Sequence, residues 1–350
     1  MGQRGQGLDG VVAADTVMSH VDGAAGELWI RGHRVEALAA PGRLEPAIAV
    51  LWDGAPPDDR YRAPLVAARV AVWPAIARAP LHPDASVTVR ATLAALDDPS
   101  PLTLVAATGL IVARWIREDQ GGAPIPPDPS LDHAADLVRM IRGEADPARA
   151  VALGRYLCAV VDHGMNASTF AARVVASTRS DPASAVVAAV GALKGPLHGG
   201  APGPVLDMLD AIGTPDRAAA WIARALDAGE RIMGIGHRVY RVRDPRVAVL
   251  EAAIGALAEA GCATDRTALA HAVEAEAEAA LAKRKPDRPL KANVEFATAV
   301  LLEAIGIPRG AFTATFAAGR VVGWLAHVAE QQATGRLIRP ESRYVGPIPA

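Results

Sequence analysis

The sequence predicts an almost wholly helical protein, and three observations carry that expectation. Aromatic residues make up only 4% of the 350, and alanine-rich strings such as 268–277 combine strong helix formers without β-branched runs. Apolar positions recur at helical spacing in blocks at 63–79, 101–118, 147–161, 167–179, 184–193, 216–228, 265–283, 295–305 and 312–333. Strand signals are weak by comparison. The best is Glu27 to Val35, preceded by the turn-like Asp22-Gly23-Ala24-Ala25-Gly26, which predicts a small β-hairpin near the N-terminus.

Two breaker zones interrupt the helical blocks. Between Arg117 and Leu131 the segment Glu118 to Pro129 reads as non-helical, a linker or a surface loop, and Gly195 to Pro204 holds four glycines and three prolines, as a hinge or binding loop would. At roughly 150 residues per domain the length suggests about two domains. With 36 Lys and Arg against 38 Asp and Glu, the formal net charge is -2, so no global positive field is available for nucleic acid or an anionic membrane. Any anion site must be local.

Cys158 and Cys262 lie far apart with no ligand cluster beside them, which argues against a zinc site and a disulfide scaffold and points to a reducing cytoplasm. The longest uncharged stretch, Pro99 to Ala113, is too short to span a bilayer, and the N-terminus shows neither a secretory apolar region nor a myristoylation pattern. The expectation is a soluble, unanchored chain.

Chemistry concentrates in five segments. In Lys194-Gly195-Pro196-Leu197-His198-Gly199-Gly200 a histidine sits among residues too small to bury it, so its ring should line a cleft. Gly234-Ile235-Gly236-His237-Arg238 opens a stretch with four arginines in nine residues, ending at Arg246, which suggests an anion site; it lacks the third glycine of a dinucleotide fingerprint. His163 lies in Asp162-His163-Gly164-Met165-Asn166-Ala167-Ser168, with Asn166 or Ser168 available to cap the helix that follows. Glu295, in Asn293-Val294-Glu295-Phe296, stands where a carboxylate commonly complements a helix dipole. Arg320 interrupts the apolar run Phe316 to His327, where a guanidinium needs an anionic partner, and Arg339 follows in Arg336-Leu337-Ile338-Arg339-Pro340.

In this order these segments, with Gly7-Leu8-Asp9-Gly10 near the start, resemble the citrate synthase family from Gly7 to the C-terminus, least so over about 52–100. The resemblance implies an all-α, two-domain citrate synthase-like fold. Its large domain would comprise 1–199 and 302–350, its small domain 200–301. It implies a transferase of the tricarboxylic acid cycle that condenses acetyl-CoA with oxaloacetate and then hydrolyses the citryl thioester, with no metal and no cofactor beyond the acyl-CoA co-substrate. His198 would donate a hydrogen bond to the thioester oxygen, and His237 would polarise the ketone of oxaloacetate. His163, Arg246, Arg320 and Arg339 would join His237 as oxaloacetate ligands, and Arg241 would hold a CoA phosphate. Arg339 would reach the other subunit's site, making the active unit a homodimer.

One departure stands out: the family's catalytic base is an aspartate, and this chain has Glu295. The intrinsic acidity of the two carboxyls differs little, but a base displaced by about 1 Å can lose on the order of 10²-fold in rate. Two alternatives therefore stay open at this point. One is 2-methylcitrate synthesis from propionyl-CoA, a difference of one methylene worth about 1–3 kcal/mol at an acyl pocket. The other is a catalytically weak, ligand-binding relative.

Overall fold

A computed structural model describes residues 8, 10–200, 202–236, 240, 242–262, 265–284 and 290–347. Helix accounts for 63% of the chain and strand for 4%, so the helical expectation holds. Strand β1 (Ser19–Asp22) pairs antiparallel with β2 (Glu27–Ile30), and β2 with the two-residue β3 (His33–Arg34), extending the expected hairpin to three strands. The turn closes because Asp22 Oδ1 accepts the amides of Ala24 and Ala25, while Leu28 and Ile30 alternate inward as a half-buried strand requires.

Among the described residues three short helical elements lead into α3 (Arg62–Arg78): α1 (Val35–Ala39), α2 (Glu45–Ile48) and a π-helical turn at Ala49–Asp53. Then follow α4 (Ala85–Ala94), α5 (Pro101–Asp119), α6 (His133–Arg142), α7 (Pro147–Ala159), α8 (Ala167–Ser177) and α9 (Pro182–Leu193). Most of these start where Ser or Asp accepts amides of the first turn, as Ser100 does for α5 and Asp181 for α9, with proline just inside. Next come α10 (Pro202–Ile212), α11 (Ala218–Asp227), α12 (Pro245–Leu257), α13 (Asp265–Arg284), α14 (Val294–Ile305) and α15 (Phe312–Thr334). Both breaker zones are thus partly helical: α5 runs on through Glu118 and Asp119, and Pro202 and Pro204 fall in a first turn that needs no donors.

The core is built on α5 and α15. Leu104 to Ile116 of α5 are buried without a break, and α15 packs against α4, α5, α7, α8 and α9, which is why both read as apolar around their whole circumference. Glycine permits the closest of these approaches: a Cβ on Gly323 would lie 2.2 Å from the carbonyl oxygen of Val161, and one on Gly319 2.8 Å from that of Leu157. The consequence is positional. Arg320, between the two glycines, is pressed against the C-terminal end of α7, next to Asp162 and His163. At the other end of the molecule α10 packs on α13 and α14, α11 on α13, and α12 on both α14 and α7.

Candidate active site

The end of α7, the turn after α9, the strand-like segment 231–236, α12, α14 and α15 enclose one cleft of about 410 Å³. Five residues singled out from the sequence line it: His163, His198, Arg246, Glu295 and Arg320. They come from five different segments. His237 and Arg241 lie outside the described residues, although Gly236 and Tyr240 beside them are placed. Arg339 does not join this cleft; it lines a second one, between residues 8–15 and the C-terminal segment.

His198 is held from below by Ser168, whose Oγ lies 2.9 Å from its Nε2. The indole Nε1 of Trp324 can only donate, and it donates to the same Oγ at 3.2 Å. Asn166 caps α8, and its Oδ1 accepts the amides of Ser168 and Thr169 and, at 2.7 Å, the Ser168 hydroxyl, whose proton reaches His198 Nε2 when it turns from Asn166. In that arrangement the ring's own N–H is on Nδ1. Burial, with Arg320 nearby, lowers the His198 pKa to about 4, so the imidazole is a neutral donor at ordinary pH. The ring meets Phe316 edge to face, with centroids 6.2 Å apart, and the Arg320 guanidinium lies over the same phenyl ring at 4.9 Å.

The two arginines are held differently. Arg246 Nε and Nη2 fork onto Asp244 at 3.0 and 2.6 Å, and Asp244 also caps α12 through the Arg246 amide. Burial works against the Arg246 charge, but the Asp244 carboxylate outweighs it and holds the pKa above the arginine norm. Arg320 is equally buried and donates from Nε to the Val160 carbonyl. Burial lowers its pKa to about 10, only partly countered by Asp162.

Glu295 sits half-buried in the first turn of α14, which Asn293 caps by accepting the Phe296 amide. Removal from water raises its pKa above the model carboxyl value of 4.5, while Arg246 pulls it back. His163 Nε2 lies 3.1 Å from the hydroxyl of Tyr240, whose pKa burial pushes up, so the phenol keeps its proton. Among the described residues no group of three ligating side chains gathers to hold a metal ion, and no helix is long and apolar enough to cross a membrane.

Asp244, and Tyr156 and Phe316 that line the cleft, were not assigned roles from the sequence, and Ser168 was offered only as a helix cap, a part that Asn166 plays. Ser168 is 30 residues from His198 and 156 from Trp324, a partnership no local pattern shows. Asp244 had a visible signal, since Asp-Pro-Arg is the opening of a capped helix with proline at its first position.

Comparison with known proteins places this geometry. Residues 7–341 match the family described as "Citrate synthase, C-terminal domain". A citrate synthase of Haloferax volcanii is 35% identical, the alignment covering 99% of this chain and 96% of the relative. The crystal structure of citrate synthase from Thermotoga maritima superposes with a TM-score of 0.85 at 33% identity, covering 99% of this chain and 96% of that one. The citrate synthase of Thermoplasma acidophilum, solved in ternary complex with carboxymethyl coenzyme A and oxaloacetate, gives the same TM-score of 0.85 at 28% identity, covering 98% of this chain and 96% of that one.

Proposed function

The chain belongs to the citrate synthase family, and from that premise we propose that it condenses acetyl-CoA with oxaloacetate and hydrolyses the resulting citryl thioester to citrate and CoA. The observation that carries the reading is the convergence, in one cleft, of a half-buried carboxylate, a neutral imidazole and two buried guanidinium groups.

Glu295 is the base that takes a proton from the methyl group of acetyl-CoA. Burial makes it a stronger base than a surface glutamate, and Arg246 opposes that rise. His198, with its N–H on Nδ1, donates to the thioester oxygen as negative charge develops there, and a neutral donor is sufficient for that role. Arg246, Arg320 and His163 receive the oxaloacetate dianion, joined by His237, which polarises the ketone. The enolate carbon attacks that ketone carbon, and water then cleaves the thioester to release CoA. Acyl-CoA is a co-substrate, no further cofactor takes part, and Arg241 is assigned to a CoA phosphate.

The enzyme acts in the cytoplasm as a homodimer in which Arg339 completes the partner's oxaloacetate site. The domains are 1–199 with 302–350, and 200–301. Glu295 approaches from the second of these and Arg320 from the first, so closure assembles the site and keeps water from the enolate.

The test is CoA release with oxaloacetate and either acetyl-CoA or propionyl-CoA. Faster turnover of acetyl-CoA supports citrate synthesis, and preference for propionyl-CoA replaces it with 2-methylcitrate synthesis. A protein that binds oxaloacetate and releases CoA from neither is a ligand-binding relative. For assembly, His198→Ala and Arg339→Ala subunits are mixed under exchange. Recovered activity supports the shared site, and none despite proven exchange places Arg339 outside it.

A further inference from the structure

Between α15 and α8 runs a line of buried polar side chains that the reaction above does not use. It starts at Asp162, whose sequence neighbour His163 lines the cleft and whose charge acts on Arg320. One Asp162 oxygen accepts the Ser19 hydroxyl, and the other lies 3.2 Å from His327 Nε2. On its opposite edge, His327 Nδ1 is 3.0 Å from Arg173 Nη1. A guanidinium can only donate, so Nδ1 accepts, and the imidazole proton must be on Nε2, directed at Asp162.

The same logic fixes the next link. Arg173 Nη1 also binds Glu330, and its Nε donates to Gln331 Oε1 at 2.9 Å. With Oε1 committed as acceptor, Gln331 Nε2 is the donor, and it reaches the backbone carbonyl of Arg336 at 2.9 Å. Asp162, His327, Arg173 and Gln331 are each at most 3% exposed. Each of these links pairs a donor with an acceptor. Such a network permits one arrangement of its parts and penalises others, because any displaced member leaves a buried polar group unpaired.

The far end of this line is the second cleft, of about 570 Å³, whose floor includes Arg173 and Gln331 and whose wall is the segment Arg336 to Pro340. That segment is tied down once more by the Ile338 amide, which donates to Ser177 Oγ at 3.1 Å. Arg339 is the next residue.

We propose that Asp162, His327, Arg173 and Gln331 form a hydrogen-bonded relay that positions Arg339 from the floor of the oxaloacetate cleft, so that one network holds a subunit's own site and the arginine it lends to its partner. The proposal rests on the reading that Arg339 completes the partner's site. The four are positioning residues, since none of them touches substrate. Cutting the relay at its outer end should weaken oxaloacetate binding while leaving base chemistry intact.

The test uses the intact enzyme and compares Gln331→Met, Gln331→Glu, Arg339→Ala and the double variant Gln331→Met/Arg339→Ala. Methionine keeps the length and helix propensity of glutamine and removes both links. Glutamate keeps the acceptor for Arg173 and loses only the donor to Arg336, so it guards against a result caused by poor folding. Both Gln331 variants should raise the KM for oxaloacetate by about tenfold, the equivalent of one or two lost hydrogen bonds, with a smaller change in kcat. The double variant should be no worse than Arg339→Ala alone. If Arg339→Ala is impaired while both Gln331 variants match the wild type, or if the two effects simply multiply, the relay is wrong and the shared site stands. If Arg339→Ala itself matches the wild type, the shared site falls and the relay with it.

Discussion

Arg246 and Arg320 face one cleft, yet their surroundings differ in kind. Arg246 brings its own carboxylate, Asp244, and the pair stays charged and oriented whether or not a ligand is present. Arg320 has no carboxylate within ion-pair distance among the described residues; its neighbours are a carbonyl oxygen and the face of Phe316. A buried cation without a close counter-ion is costly, and the compensation arrives with a dianion. One arginine is therefore scaffold as well as ligand, and the other is poised for oxaloacetate.

The sharpest way to break this comparison is to replace each guanidinium with a neutral chain of similar length. Arg246→Met removes the buried fork onto the Asp244 carboxylate and should lower stability without ligand. Arg320→Met removes an uncompensated charge, so the ligand-free protein should be about as stable as the wild type. It should also lose the thermal stabilisation that oxaloacetate gives. Urea unfolding and thermal melts with and without oxaloacetate decide the matter, and equal loss of ligand-free stability in both variants would refute the distinction.

High pH separates the same two residues more gently. With a pKa of about 10, Arg320 sheds its charge in a range where Arg246, held above the arginine norm, keeps it. Oxaloacetate affinity should fall as pH climbs through about 10, and this fall should be absent from the residual binding of Arg320→Met, as titration calorimetry would read.

Much of this contrast was illegible in the sequence. The alanine-rich helices such as α13 and α15 could be read to within a few residues because every local preference agreed with the fold. Helix α4 could not, since Val87, Thr88, Val89 and Thr92 lower helix propensity and only packing against α5 and α9 overrides them. Helix α12 was hidden because its capping Asp244 and first-turn Pro245 stand in a run of arginines that reads as a loop. The site residues stood out as polar groups in glycine-rich or apolar settings. What held them did so less, because Ser168 and Phe316 act through contacts that exist only once distant segments pack.

A smaller effect concerns two imidazoles that burial depresses, His133 to about 3 and His198 to about 4, against an ordinary value of 6.5. In the unfolded chain both take a proton as pH falls below 6.5, which the folded protein refuses. Their contribution is complete above that value and is lost as pH falls toward 4 and then 3. Urea midpoints between pH 7 and 4 should therefore decline less steeply in His133→Gln than in the wild type. An unchanged slope would place the acid sensitivity elsewhere.

The central claim is that Glu295 is the base, and turnover of acetyl-CoA with oxaloacetate by Glu295→Gln tests it most directly. The variant keeps the shape of the side chain and removes the proton acceptor. The account predicts that CoA release falls by about 10²-fold or more while oxaloacetate still protects the protein against heat. CoA release that is indifferent to the change would contradict it.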